Sequence, residues 1–320
     1  MLNLLHPKVR DCQEDLAHRF QSADPFRHVV IDEFFAGGFC QQLIADFPAF
    51  DADHARNEMG KVGGKAVFQN LSELGPAYAQ LDRILRSKDF LSLVGGITGI
   101  PGLLYDPEYV GGGTHENLEG QELDPHVDFN YHPHTQRHRR LNLIVFLNPE
   151  WREEWGGVLE LHSNPWAGAG EDRVATILPL ANRCVIFETT ETSWHGFKRI
   201  RIPQERRDLS RRSVAVYYYT KSRPARETAA PHSTVYVQRG LPENIRPGHT
   251  LSDEDVQALE ALVTRRDTQI RFLYERELEY MAIVHGLLRT KSFRLYRTVT
   301  SPARKCWGWI KSRSSPAGSA

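Results

Sequence analysis

The 320-residue sequence has little cysteine: Cys12, Cys40, Cys184 and Cys306, with no C-x-x-C pair. That spacing excludes a zinc-finger framework and argues against a disulfide scaffold, so a reducing compartment is expected. No run of about 18 apolar residues occurs, so no membrane-spanning helix is expected. The opening MLNLLHPKVRDCQEDLAHRF lacks the uninterrupted apolar segment of a secretory signal, and a cytoplasmic protein is the default expectation. Net charge is absent too: 40 Lys+Arg balance 40 Asp+Glu. This balance argues against a dedicated nucleic-acid protein, and no specific nucleic-acid partner is expected. It conceals an asymmetry. No acidic residue follows Glu279, while eight basic residues do, so residues 1–279 carry 32 basic against 40 acidic side chains.

At 40% hydrophobic and 25% charged, the chain has an ordinary globular composition and is long enough for a full core. Residues 1–22 suggest a helix, and PFRHVVIDEFF (25–35) a β-branched strand. Helical stretches are expected at 36–48, ended by Pro48, and twice within 76–100. From about 101 to 220 the texture changes. LNLIVFLN, GGVLELH, VATILPL, RCVIFE and SVAVYYYT alternate with Gly, Pro, Asn and Asp clusters, the pattern of an all-β sandwich or barrel, with the jelly roll the preferred form. A Pro- and charge-rich connector follows at 221–250. Ser252 with Asp253, Glu254 and Asp255 then opens a long helix-periodic segment, as an N-cap followed by acids that suit the helix dipole.

The sharpest local feature is His126-Val127-Asp128. On a strand, residues i and i+2 share a face, so an imidazole and a carboxylate project together. They supply two of the three ligands of a 2-His-1-carboxylate facial triad, which leaves metal positions open for substrates. His195, in Ser193-Trp194-His195-Gly196, is the candidate third ligand on a distant strand. An isolated H-x-D is weak evidence, because chance produces it often and two surface residues flanking a turn are the more usual explanation. A third element changes that weighting. Arg211-Arg212-Ser213 opens the strand RRSVAVYYYT, whose alternation puts Arg211 and Ser213 on one face. Such a pair suits a carboxylate, through a bidentate guanidinium contact and a hydroxyl hydrogen bond. Arg212 is the competing anchor and falls on the other face.

Together, HVDFN (126–130), RRLNLIVFLNPEW (139–151), WGGVLELH (155–162), NRCVIFE (182–188), WHGF (194–197) and RRSVAVYYY (211–219) resemble the Fe(II)- and 2-oxoglutarate-dependent oxygenases, in their prolyl-4-hydroxylase-like branch. The resemblance covers roughly residues 100–220. It implies a double-stranded β-helix, with His126, Asp128 and His195 on iron, Arg211 on the 5-carboxylate of 2-oxoglutarate, and Ser213 assisting. It implies hydroxylation of an unactivated C–H bond with O2, releasing succinate and CO2, with ascorbate a candidate reductant. Many prolyl hydroxylases carry a Tyr where this chain has Phe146, and Asn142 on the same face is the candidate replacement. Asp128 stands where halogenating relatives have a small residue, which favours hydroxylation. The shared motifs do not read the substrate, which is expected to be a small molecule, an amino acid or prolyl group, or a glycan. The alternative is a cupin-like jelly roll that binds metal without 2-oxoglutarate chemistry.

The expected architecture is mainly β (α+β): helical N-terminal support at 1–100, a jelly-roll oxygenase core at 101–222, and a connector, helices and basic tail at 223–320. Asn130, Tyr131 and Trp194 are candidate substrate contacts by adjacency to the ligands. Gly111-Gly112-Gly113 suggests a flexible rim, His132, His134 and His138 a polar active-site loop, and Trp151 and Trp155 core packing or a lid. The tail 289–313 interleaves Phe293, Tyr296, Trp307 and Trp309 with basic residues. It is a candidate contact for an anionic membrane surface, which would make the protein membrane-peripheral, or for an anionic glycan or nucleic acid, or else is a solvated segment that docks on the acidic body.

Overall fold

A computed structural model describes residues 2–51, 65–167, 170–238, 240–241 and 244–290. The chain divides into two units, Met1–Gly240 and Leu241–Ala320.

In the first unit, α1 (Pro7–Asp11) and α2 (Gln13–Ser22) break at Cys12, where one continuous helix was expected, and lead into β1 (His28–Ile31). Next come α3 (Gly37–Ala45), stopping short of Pro48, and β2 (Ala66–Phe68). α4 (Pro76–Leu85) starts on a proline, whose missing N–H costs nothing in a first turn. α5 (Lys88–Thr98) starts where the Ser87 hydroxyl accepts from the Phe90 N–H and stops at Gly99 in the left-handed region. The remaining strands are β3 (Leu104–Tyr105), β4 (Gly113–Asn117), β5 (Leu123–Val127), β6 (His138–Phe146), β7 (Leu159–His162), β8 (Val174–Ile177), β9 (Cys184–Glu188), β10 (Trp194–Phe197), β11 (Arg211–Thr220) and β12 (Val235–Tyr236).

They form two antiparallel sheets. One has the order β1-β9-β6-β11-β4-β2, with β3 also on β11; the other is β12-β5-β10-β7-β8. From β4 to β11 the chain crosses between them at every step but one, the β7–β8 hairpin: β4, β6, β9 and β11 lie in the first sheet, and β5, β7, β8 and β10 in the second. That crossing pattern is a jelly roll, the double-stranded β-helix. Strand alternation distributes the side chains. Leu141, Leu143, Val145, Val214, Val216 and Tyr218 face outward into one large core with the helices, including Phe20, Tyr78, Leu81 and Phe90. The helical support at 1–100 therefore shares its core with the sheet. Phe146, Val185 and Phe187 face inward and meet Leu159, Leu161 and Ile177 of the second sheet.

The three-glycine segment is not a flexible rim. Gly113 sits in β4 with φ +107°, and a Cβ there would lie 2.1 Å from the Phe68 carbonyl oxygen, so only glycine lets β2 approach this closely. Trp151 and Trp155 are buried edge-to-face at 5.9 Å, packed with Phe197, Ile200 and Ile202, which is the core-packing alternative. His132 is buried against Asp106 at 3.2 Å and His134 lies beside Glu108, so hydrogen bonds tie this turn to the segment that follows β3.

The second unit contains α6 (Asp253–Arg289). No described helix is long and apolar enough to cross a membrane. The basic tail lies outside the described residues from Lys291 onward.

Candidate metal centre and co-substrate anchor

β10 pairs with β5 so that His195 stands directly opposite His126. Directly opposed residues of an antiparallel pair share a face, and Asp128 shares it by the two-residue period. Gly196 lets the strands close up: a Cβ there would lie 2.6 Å from the Leu123 carbonyl oxygen. The result is a cluster in which one ligand atom from each of His126, Asp128 and His195 lies within 4.8 Å of the others. His126 Nε2 is 3.7 Å from Asp128 Oδ1, and His195 Nε2 is 3.5 Å from Asp128 Oδ2.

The other ring nitrogens fix the tautomers. Nδ1 of His126 lies 3.0 Å from the Asp124 carbonyl, and Nδ1 of His195 lies 3.0 Å from the Ser193 carbonyl. A carbonyl only accepts, so each Nδ1 carries the proton and each Nε2 lone pair points into the cluster. Burial, with a contribution from the neighbouring His195, pushes His126 down to about 3, and burial also lowers His195, so both imidazoles stay neutral and ligand-competent. For Asp128, burial raises the carboxyl, but the charge of the neighbouring Arg139 guanidinium outweighs it and holds the group at about 2. Two neutral imidazoles and one carboxylate on one face match the donor set of an Fe(II) facial triad.

Arg139 is a residue of this cluster that sequence reasoning missed. Its Nη2 donates to Asp128 Oδ2 at 2.8 Å, and its guanidinium lies over Tyr217 at 3.5 Å and Phe129 at 4.5 Å. Strict alternation would turn it away with Leu141. The pairing of β6 with β11 slips instead: Tyr218 opposes Leu141 but Tyr219 opposes Arg139, so Arg140 is extra and Arg139 returns to the inner face. Tyr236 was also missed; β12 lies alongside β5 and stacks this ring on His126 at 5.2 Å.

Arg211, at the start of β11, is 5% exposed. Its Nε donates to the Gly157 carbonyl at 2.6 Å, and its guanidinium sits over Phe197 at 4.4 Å and Phe146 at 5.1 Å. Among the described residues no carboxylate pairs with it, and burial alone pulls it down to about 9. A buried cation without a counter-charge is costly, and an incoming carboxylate relieves that cost. Arg212, by contrast, is bound to Glu116 at 3.0 Å on the other face. Ser213 is buried and aligned with both His115 and Phe146. His115, a further inner-face residue that the motifs did not flag, is buried within electrostatic range of both Arg211 and Asp128.

The sequence family model of the 2OG-Fe(II) oxygenase superfamily matches residues 113–219. These residues form a 2OG-Fe(II) oxygenase domain. The match begins at β4 and ends within β11, so this domain contains both the triad and Arg211. Prolyl 3-hydroxylase OGFOD1 of Mus musculus is similar at 24% identity over 211 residues, 62% of this chain. The aligned region spans about a third of that relative's length, 34%. Similar solved structures include a Trichoplax adhaerens prolyl hydroxylase in complex with a hypoxia-inducible-factor degradation-domain peptide (14% identity, 68% of this chain and 96% of that one, TM-score 0.48). Another is a Phytophthora capsici prolyl 4-hydroxylase (16%, 95% and 92%, 0.47). A third is HygX of Streptomyces hygroscopicus with nickel and 2-oxoglutarate (14%, 68% and 95%, 0.44).

Four candidates sit elsewhere in the oxygenase domain than the motifs suggest. Asn142 Nδ2 lies 3.5 Å from Asp128 Oδ2, at the metal end and not beside Arg211. Asn130 is committed to the connector, donating to the Ala230 carbonyl at 2.8 Å and accepting from the His232 N–H at 3.0 Å. The Tyr131 hydroxyl donates to the Ala229 carbonyl at 3.3 Å. Trp194 faces away from the triad, because adjacent strand residues project oppositely, and packs with Val127 and Val237.

Proposed function

We propose that this protein is an Fe(II)- and 2-oxoglutarate-dependent dioxygenase that hydroxylates an unactivated C–H bond. The observation that carries the reading is the conjunction of a neutral-imidazole–carboxylate triad with a buried, acid-free arginine in the same sandwich. A cupin-like metal protein explains the triad but has no use for Arg211.

In this reading His126 and His195 hold iron through Nε2 and Asp128 through a carboxylate oxygen. Iron and 2-oxoglutarate together supply the oxidising chemistry, in which decarboxylation to succinate and CO2 is coupled to C–H hydroxylation by O2. The protein's own part is positioning and exclusion of water. Arg139 holds the Asp128 carboxylate in one orientation and offsets its charge. Arg211 receives the 5-carboxylate of 2-oxoglutarate, with Ser213 as a second donor, and Phe146 and Phe197 wall the guanidinium from water. The Tyr236 ring restrains the His126 imidazole. The substrate class is an amino acid or prolyl group, a small molecule or a glycan, and the name of the murine relative supports the prolyl option. A cytoplasmic location accords with a reducing compartment for free Cys12, Cys40 and Cys184.

Anaerobic addition of Fe(II) and then 2-oxoglutarate is the deciding experiment. The expected result is a visible charge-transfer band that needs both additions, followed by succinate release in air. No band and no succinate from correctly folded protein overturns the proposal. Succinate yield across prolyl peptides, free amino acids and glycans then ranks substrates.

A further inference from the structure

The helix α6 is 37 residues long, about 55 Å at 1.5 Å per residue. A reciprocal capping box between Ser252 and Asp255 fixes its start. Along it, one set of side chains recurs every seven residues: Val256, Val263, Ile270, Glu277 and Val284. A second set follows three positions behind: Leu259, Arg266, Leu273, Tyr280 and Leu287. Val256, Val263, Ile270, Leu273, Tyr280, Val284 and Leu287 are each 41–56% exposed. Heptads sustained over this length, apolar at most positions of both sets, are the pattern of a coiled-coil seam. An apolar stripe of this extent marks a partner surface.

We propose that α6 pairs with α6 of a second copy of this chain as an antiparallel coiled coil, in the register that sets Ile270 against the partner's Leu273. The two charges within the seam choose both orientation and register. In a parallel pair, Arg266 would face Arg266 and Glu277 would face Glu277, two like-charged layers. In an antiparallel pair the first set faces the second. The layers then become Val256 with Leu287, Leu259 with Val284, Val263 with Tyr280, Arg266 with Glu277, and Ile270 with Leu273, each occurring twice by symmetry. Every layer is apolar or oppositely charged. Sliding by one heptad would set Arg266 against Ile270 or Val284 and bury the charge unpaired. The register chosen by charge places the two-fold axis between residues 271 and 272, at the middle of a helix that runs from 253 to 289. Two such helices therefore overlap along almost their whole length, an agreement that the charge argument did not require. The inference is independent of the proposed chemistry.

Sedimentation velocity on the full chain over micromolar concentrations tests it, with Arg266→Glu, Glu277→Arg and the double exchange. The wild type is expected to be a dimer. Each single variant creates like-charged layers and weakens the dimer at least about tenfold, and the double exchange restores it. Both positions are exposed in the single chain, so helix content by circular dichroism stays constant and separates loss of pairing from loss of fold. A monomer throughout overturns the dimer, leaving the stripe to lipid or to another part of the chain. A dimer equally strong in all four proteins overturns the antiparallel register, since a parallel pair has two like-charged layers in each of them.

Discussion

The metal end and the anchor end of the sandwich handle buried charge in opposite ways. At the metal end Asp128 is already matched: Arg139 bonds it at 2.8 Å, and the two imidazoles are held neutral. At the anchor end Arg211 has an amide carbonyl and two aromatic rings and, among the described residues, no carboxylate. On the proposed function, the first arrangement keeps the ligands in place before metal arrives, and the second leaves a buried charge that a dicarboxylate would offset. Substitutions at the two ends should therefore part company in stability as well as in activity.

Asp128→Ala is expected to have the largest effect. It removes a proposed ligand and strands a fully buried guanidinium, a loss of about 3–5 kcal/mol by analogy with broken buried pairs. Iron content and succinate formation should fall to background, and the urea midpoint should drop in the metal-free protein. An unchanged midpoint would show that Arg139 does not depend on Asp128, and the contrast between the ends would fail. Arg211→Met runs the other way. Losing one partner of a buried charge-assisted pair costs about 2–5 kcal/mol, so the KM for 2-oxoglutarate should rise about 30-fold or more while iron binding persists. The midpoint of the metal-free protein should hold or rise, because the substitution removes a buried charge with no acid beside it. A clear fall in that midpoint would mean Arg211 has a structural duty.

Much of this contrast was legible in the sequence, for a physical reason. The two-residue period of a strand puts His126 with Asp128, and Arg211 with Ser213, on common faces without any knowledge of the fold. The same rule excludes Arg212, which the structure ties to Glu116. It also turns Trp194 away from His195, although mere adjacency had suggested a substrate contact. What stayed hidden came from departures from regularity and from long-range pairing. The extra residue Arg140 shifts Arg139 onto the inner face, and no alternation rule foresees a bulge. Tyr236 belongs to a two-residue strand in a Pro-rich connector, formed only because β5 offers an edge. The Gly111–Gly113 segment looked pliant because glycine marks both flexible chain and tight approach, and only the Phe68 carbonyl decides between them.

Arg139→Met sharpens the comparison at intermediate scale. Arg139 touches the proposed ligand Asp128 and not the metal site itself, and losses of such outer partners typically cost about 10–100-fold in metal affinity. Fe(II) titration should show a loss in that range with the KM for 2-oxoglutarate little changed, the mirror image of Arg211→Met. Equal damage to both constants would mean that the ends are one electrostatic unit.

The smallest effect is a pH dependence confined to the metal end. His126 is held at about 3 in the folded chain, against about 6.5 when unfolded. Above pH 6.5 both states are neutral at this site and its linkage to stability vanishes. As pH falls through 6.5 the unfolded chain takes up the proton first, so stability declines with falling pH until the folded value near 3 is reached. Between pH 7 and pH 6 the loss is about 0.7 kcal/mol for this imidazole. His28, His115 and His195 are lowered as well, so the total slope belongs to several groups and only a difference isolates one. The metal-free His126→Gln variant should lose about 0.7 kcal/mol less than wild type over that interval, read from urea midpoints at the two pH values. Arg211→Met should follow the wild-type slope, because a guanidinium at about 9 stays charged throughout. If Arg211→Met flattened the slope and His126→Gln did not, the acid-sensitive end of the site would be the anchor.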